Sequence, residues 1–547
     1  MRRAEATLQV VLDMILEGLL IALLVFTPFA FGTVHTWAVS LAQGALAALF
    51  GLWLCRVIWT RPPSRPAQVP STDEGMVSLA GYPFRRTRMG APAALFAGLA
   101  ALQLVPLPPA VLRALSPATA ELYERSLPGY SQGEAIDFGR WEPWLTGADT
   151  GTAARLAQAA EPIPVEPRLV WPASLPLSLY PHETAGRLIM LLALCMAFAV
   201  VANALREPRQ VERVGWVVVL AGLAMSVLGM VQQLQWNGRL YGIYPVPDGA
   251  SPFGPFFNHN HFAAYLEMAL PLALGLFAGC LARLAPAGFA ADREAREGAA
   301  VAGPAARWKA ALARHGAEAV ARLGLSGFAF LVMLTALVAA GSRGAILSLA
   351  GATLVYGALL AGRGRIGRTE AAAGACLLAA AAIILAAVVP DHAGRMARKL
   401  EAVAEFETEP SLAARLVGWK ATLAIAADFP VLGAGLGTFA DAWLRHYPAG
   451  TANVWKEAHN DYLQIAAETG MAGALLVAWG LAVFLGRHVL RPGRGGRSHL
   501  GHGMAVGVLS ILLHSAVDFS LQVGAIALLF TVLSAFLAGG AVDAEGA

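Results

Sequence analysis

Apolar runs long enough to cross a bilayer recur from one end of this chain to the other, and few folds can hold them. A membrane-spanning helix needs about 20 predominantly apolar residues. Twelve stretches approach that requirement, at roughly 12–31, 36–55, 91–107, 185–204, 213–234, 262–282, 325–341, 344–361, 371–390, 460–485, 501–517 and 523–541. Hydrophobic residues make up 57% of the 547, charged residues only 14%, and mean hydropathy is +0.57, which is more apolar sequence than a soluble domain would bury. The expected class is an all-α polytopic membrane protein with about 12 transmembrane helices and two long loops on the same side. Tight connections at 32–35 and 342–343 make hairpins of the spans that flank them.

Arginine placement orients the spans, because short cytoplasmic loops hold an excess of Lys and Arg. Threading twelve spans puts Arg56, Arg61, Arg65, Arg85, Arg86, Arg88, Arg206, Arg209 and Arg213 on the side of Met1. The basic 283–322 segment joins them, with Arg363, Arg365, Arg368, Arg487, Arg491, Arg494 and Arg497. That side is read as cytoplasmic. The net charge of +4 is then a product of topology and implies no nucleic-acid partner. Cys55, Cys195, Cys280 and Cys376 sit in or beside apolar runs, without the spacing of a disulfide framework or a metal site. Met1-Arg2-Arg3 before an apolar run imitates a signal peptide, but no small-residue cleavage site follows, so an uncleaved first helix is expected. No P-loop is present for harvesting ATP, and no repeat of about 20 to 50 residues is found.

Five segments follow: membrane helices 1–3 over 1–107, a Pro-rich loop over 108–182, and helices 4–6 with the basic loop over 183–324. A core over 325–485 contains a second outward loop at 391–458, and the last helices occupy 486–547. Loop 108–182 holds eleven prolines and eight acidic against five basic residues, and is expected to be extended with short helices. Its Trp141, Trp144 and Trp171 suit interface anchors better than sugar platforms. In the second loop Leu412, Leu416, Trp419 and Leu423 recur at helical spacing beside Arg415 and Lys420, which predicts an amphipathic helix at the membrane surface ending at Phe429-Pro430. The run Gly433-Ala434-Gly435-Leu436-Gly437 lacks the strand–turn–helix setting of a phosphate loop, and a flexible turn is the expected role.

The chemically informative stretch is 457–473, where a polar loop becomes an apolar helix. His459 stands at the outward mouth of that helix, and Asn460, Gln464 and Glu468 follow at i, i+4 and i+8 on one face. Asn460 suits a helix cap and Gln464 a polar contact between helices, but the cluster as a whole reads as a site. Arg343, in the outward turn Gly341-Ser342-Arg343-Gly344, runs against the positive-inside bias and calls for a carboxylate or a phosphate. Arg415, with Arg395, Arg398 and Lys399, could bind anionic membrane lipid or a lipid-linked diphosphate. Asn258 suits a helix cap, with His259 and His261 on different faces and a poor metal pair; His514 and Asp518 are spaced to pair with each other or to orient a catalytic group.

His459-Asn460, nine residues, then Gly470, Met471, Ala472 and Gly473 resemble the motif of the O-antigen ligase and polymerase superfamily. The turn Ser342-Arg343-Gly344 and the run Arg415, Trp419, Pro430, Gly433, Gly435, Gly437-Thr438-Phe439 are similar to that family's pattern too, and the likeness is closest from about Gly341 to Leu485. The resemblance implies a transferase of the bacterial inner membrane, with its site facing the periplasm. It would move a glycan from an undecaprenyl-diphosphate donor to a hydroxyl on lipid A core sugar, another glycan or a protein. His459 is then the expected catalytic base, since imidazoles ordinarily titrate near neutrality. Arg343, Arg415, Asn460, Arg395 and Arg398 are expected to bind substrate, with Glu468, His259, His261 and Asp518 around them. No cofactor and no metal is implied. A ligase is preferred to a polymerase or a protein-glycosylating enzyme. A transporter of lipid-linked glycans would place paired charges and broken helices near mid-membrane, whereas here the unusual residues stand at the mouth.

Overall fold

The computed structural model describes residues 2–59, 76–79, 82–85, 87–127, 172–247, 249–284, 304–363, 410–447, 455–490 and 497–542. These form α1 (Arg2–Phe29), α2 (Thr36–Trp59), α3 (Gly90–Leu102), α4 (Pro109–Leu115), α5 (Pro117–Ser126), α6 (Pro181–Ala204), α7 (Pro208–Leu234) and α8 (His259–Leu284). They continue with α9 (Pro304–Ala340), α10 (Arg343–Ala361), α11 (Pro410–Asp428), α12 (Phe439–Trp443), α13 (Asp461–Phe484), α14 (His499–His514) and α15 (Gly524–Gly539). Two antiparallel hairpins are the described strands: β1 (Met76–Leu79) with β2 (Tyr82–Arg85), and β3 (Arg239–Leu240) with β4 (Tyr244–Pro245).

Eight helical segments are long and apolar enough to cross a membrane: Thr7–Phe29, Thr36–Trp59, Pro181–Ala204, Pro208–Leu234, His259–Leu284, Gly316–Ala340, Arg343–Ala361 and Asp461–Val489. The chain is a multi-pass, mostly helical membrane protein. The spans expected at 91–107, 501–517 and 523–541 are shorter helices, α3, α14 and α15, and the span expected at 371–390 lies outside the described residues. Sixteen residues in α14 rise only about 24 Å, less than the ~30 Å of a hydrocarbon core. The chain leaves the helix early because 515–523 turn across the end of the bundle. Ser515, Asp518 and Ser520 there are buried, as irregular backbone near a membrane must be.

Helix α8 is the centre of the bundle, touching α7, α9, α10, α14 and α15. Its contact with α14 is close because α14 presents small residues: a Cβ on Gly503 would fall 2.2 Å from the Pro271 carbonyl oxygen, and one on Gly507 3.0 Å from the Met268 Cα. This approach brings side chains of α8 within reach of the C-terminal turn of α14. At one end of the bundle, arginines pair with neighbouring helices: Arg56 with Asp13, Arg213 with Glu17, and Arg322 with Glu212 at 3.1 Å. Arg85 Nε donates to the Gly539 carbonyl at 2.8 Å and Arg363 Nη1 to that of Leu490 at 2.6 Å, again at that end. The opposite end gathers the start of α6, α8, α10 and α13 and the close of α14. A second small core over it joins α11, α12 and the loop before α13 through Ile425, Phe429, Phe439, Trp443 and Ala458.

Candidate active site

The site is built from the residue that starts α13. Asn460 is extended, at φ −166° and ψ 102°, and its Oδ1 accepts from the backbone N–H of Tyr462 (3.1 Å) and Leu463 (3.0 Å). That is the cap expected for an Asn at this place. Its Nδ2 donates to the Ala516 carbonyl at 2.8 Å, and the Asp461 N–H to that of Ser515 at 2.8 Å. The Asp461 carboxylate accepts from Leu521 N–H (3.3 Å) and Gln522 Nε2 (3.2 Å). Residues 459–461 are thereby stitched to the turn after α14, and His459 is held at φ +49°, a region few non-glycine residues occupy.

This geometry sets His459 Nδ1 3.1 Å from Asp518 Oδ1. Asp518 is 1% exposed, and Oδ1 also accepts from the Phe519 N–H at 2.8 Å. Burial alone would raise the Asp518 pKa. The hydrogen bond from His459 and the nearby imidazoles of His514, His459 and His261 outweigh burial, and hold the carboxyl well below the usual range. An ionised carboxylate can only accept, so His459 donates through Nδ1 and a neutral ring keeps its lone pair on Nε2. Aromatic rings bracket the imidazole edge-on: Phe519 at 4.7 Å between centroids and Trp455 at 5.3 Å.

Trp455 stacks on Trp443 at 5.4 Å and 10°, and presses so close to α11 that a Cβ on Gly418 would lie 2.4 Å from its ring. With the Trp419 Nε1 donating to the His459 carbonyl at 3.3 Å, this seats α11 over the site and puts Arg415 Nη2 3.8 Å from Asp518 Oδ2. The helix predicted from the leucine spacing is present. It packs on the protein through Gly418, Ala421, Thr422 and Ile425, while Leu416 and Leu423 stay exposed, as lipid contact requires.

The polar face of α13 serves the Gly-rich turn. Gln464 Nε2 donates to Glu468 Oε1 at 3.0 Å, Gln464 Oε1 accepts from Ala458 N–H at 2.9 Å, and Glu468 Oε2 accepts from Gly437 N–H at 2.7 Å. Consecutive N–H groups of Ala434, Gly435 and Leu436 donate to the Ala467 carbonyl (3.0 Å), the Glu468 carbonyl (2.9 Å) and Gln103 Oε1 (2.9 Å). With its donors spent inside the protein, the run is a packed turn and not a phosphate cradle. Gly470 interrupts α13 at φ 64° and ψ −170°, a conformation nearly confined to glycine, and the N–H groups of Met471 and Ala472 turn to the carbonyls of Pro430 (2.8 Å) and Val431 (3.2 Å). A Cβ there would lie 2.4 Å from the Val431 carbonyl. Gly470→Ala is therefore expected to cost about 3 kcal/mol or more of stability, read as a lowered melting temperature in detergent; an unchanged melting temperature would contradict the packed break.

His261 lies near the site: its ring meets Phe519 edge-on at 4.8 Å, as that of His459 does at 4.7 Å. Asn258 Oδ1 accepts from Asn260 N–H at 2.9 Å at the start of α8, and His259 N–H donates to the Ser251 carbonyl at 2.7 Å. Arg343 is the first residue of α10, where Ser342 Oγ caps Ala345 N–H at 3.4 Å. His514 pairs with Glu267 of α8 and not with Asp518. Arg395 and Arg398 lie outside the described residues, as do Lys399, Trp141, Trp144 and Trp171. Among the described residues no three His, Cys, Asp or Glu side chains converge as metal ligands.

Sequence reasoning missed Arg187. From the N-terminal end of α6 it donates to Gln522 Oε1 at 2.8 Å and Glu457 Oε1 at 3.0 Å, joining the loops on either side of the His459–Asp518 pair. The argument applied to Arg343, an arginine at the outward mouth of a span, would have found it. Phe519 and Trp455 carry no signal of their own in the sequence. No curated protein matches the chain. Residues 328–478 match the family model described as O-antigen ligase, a segment that holds Arg343, Arg415, His459 and Gly470 but ends before Asp518. Over those residues the chain is similar to the O-antigen ligase family, which supports the resemblance to that superfamily.

Proposed function

We propose that the protein transfers a glycan from undecaprenyl diphosphate to an acceptor hydroxyl at the periplasmic face of a bacterial inner membrane. The observation that carries this reading is the His459–Asp518 pair, 3.1 Å apart at the mouth of α13 with Arg415 alongside. An acceptor hydroxyl meeting Nε2 of His459 gives up its proton as its oxygen attacks the anomeric carbon. The bond from that carbon to the diphosphate oxygen breaks, and the diphosphate leaves with the electron pair. One displacement inverts the anomeric centre. The diphosphate linkage is already activated, so no nucleotide is consumed. Arg343 and Arg415 hold the charge that gathers on the leaving group, and Arg395 and Arg398 are assigned to the same donor by the sequence alone. The acceptor is lipid A core sugar, another glycan or a protein hydroxyl, with ligation the preferred reaction.

The test is incubation of the purified protein in nanodiscs with undecaprenyl-diphosphate glycan and a panel of acceptors, followed by mass spectrometry. A glycan–acceptor conjugate together with released undecaprenyl diphosphate is expected. Intact donor in every incubation would sink the reading. Lysine in place of Arg343 or Arg415 keeps charge but loses the two-pronged geometry, so each change should weaken donor binding about tenfold in folded protein. Full donor affinity in both variants would remove the diphosphate assignment. In a cysteine-free background, Val34→Cys should react with an impermeant thiol reagent from the periplasm and Glu318→Cys should not; the reverse pattern would overturn the orientation.

A further inference from the structure

Beneath the site lies an acid–base pair that the transfer, as written, does not use. Glu267 on α8 and His514 in the last turn of α14 are 0% and 1% exposed, with Oε1 and Nδ1 2.6 Å apart. Ser510, one turn back on α14, donates its hydroxyl to the other carboxylate oxygen of Glu267. Ionisable groups are expensive to keep among membrane helices and by default mark function. Two contacts tie this pair to the two arms of the site. A Cβ on Gly344 would fall 2.9 Å from His514 Nε2, so the turn bearing Arg343 rests on the imidazole. The carbonyl of His514 accepts from the N–H of Val517 (2.9 Å) and Asp518 (3.0 Å), which shapes the turn that carries Asp518 to His459.

We propose that Glu267 and His514 are positioning residues that hold the Arg343 turn and the Asp518–His459 pair in register on one buried support. This rests on the transfer reading above. A buried acid–base pair resists sliding, because either partner displaced from the other leaves a buried polar group uncompensated. Catalysis is sensitive to such a support, since a misplacement of about 1 Å can cost about a hundredfold in rate.

The experiment compares wild type, Glu267→Gln, Gly344→Ala and His459→Ala in nanodiscs, measuring donor KM and kcat per folded, monodisperse molecule well below the melting temperature. Glu267→Gln is expected to raise donor KM and lower kcat together, each by about tenfold. A lowered melting temperature with both constants unchanged would overturn the proposal, leaving the pair a role in fold stability alone. Should Glu267→Gln fail to fold, Gly344→Ala decides: it keeps both ionisable groups and presses a methyl against the His514 ring. Its kcat is expected to fall along with the rise in donor KM, and a change confined to KM would overturn the coupling. His459→Ala separates the two levels. If that variant turns over normally, the transfer reading fails; if it is inactive while Glu267→Gln matches wild type in both constants, only the positioning inference fails.

Discussion

Replacing His459 with alanine is expected to lower turnover by about a hundred- to ten-thousand-fold, the usual range for losing a general base. Donor binding should change little, because the proposed transfer has Nε2 meet the acceptor proton and assigns the diphosphate to the arginines. Steady-state assays with donor and acceptor both saturating, alongside direct donor-binding measurements, separate the two effects. His261→Ala should cost far less, since it is His459 whose Nδ1 meets the Asp518 carboxylate at 3.1 Å. Near-normal turnover in the His459→Ala protein would leave the site without its base.

Asp518→Asn is expected to be the second most damaging change, slowing turnover by about a hundredfold or more, as removal of an orienting carboxylate does in acyl-transfer triads. Asparagine nearly preserves the shape, but its amide can donate to Nδ1 and so stabilise the tautomer with its proton on Nε2. Arg415, 3.8 Å from the carboxylate, would lose that partner, so donor affinity should hold or rise. A fall in donor affinity with unchanged turnover would instead assign Asp518 to the donor site. The pH behaviour of Asp518 has a definite sign. Its folded pKa is depressed, so the stability it contributes is present above the ordinary carboxylate pKa of about 3.9 and is lost only as pH falls through the lower folded value. Between neutrality and about pH 4, then, acid inactivation is not Asp518 taking a proton.

Local patterns made part of this site legible. The change from loop to apolar helix marks His459 and Asn460, and the cap that Asn460 makes is the one its residue type favours. Helical spacing revealed α11, and Pro430 its end. The same spacing leaves two outcomes open at the other side of the site: His514 and Asp518, at i and i+4, could pair or orient another group, and in the folded chain each takes its side-chain partner elsewhere. His514 turns to Glu267 because small residues let α14 sink against α8, and Asp518 turns to His459 because Asn460 and Asp461 bind the loop after α14. Both outcomes depend on contacts between distant segments, which periodicity does not encode. The short α14 has the same origin, since apolar residues continue past His514 while the backbone turns at 515–518. Gly433 and Gly470 were readable as turn or motif residues, but not as partners; each leaves room for the backbone beside the other, Gly433 against Glu468 and Gly470 against Val431.

The central claim is that His459 acts as a neutral base on the acceptor while Asp518 stays ionised beside it. The pH dependence of turnover in reconstituted wild-type protein, with donor and acceptor saturating, tests it most directly. The rate is expected to fall on acidification with the slope of a single proton, while donor affinity stays level. A rate that instead falls as pH rises would make His459 a cation serving the diphosphate, and would contradict the account.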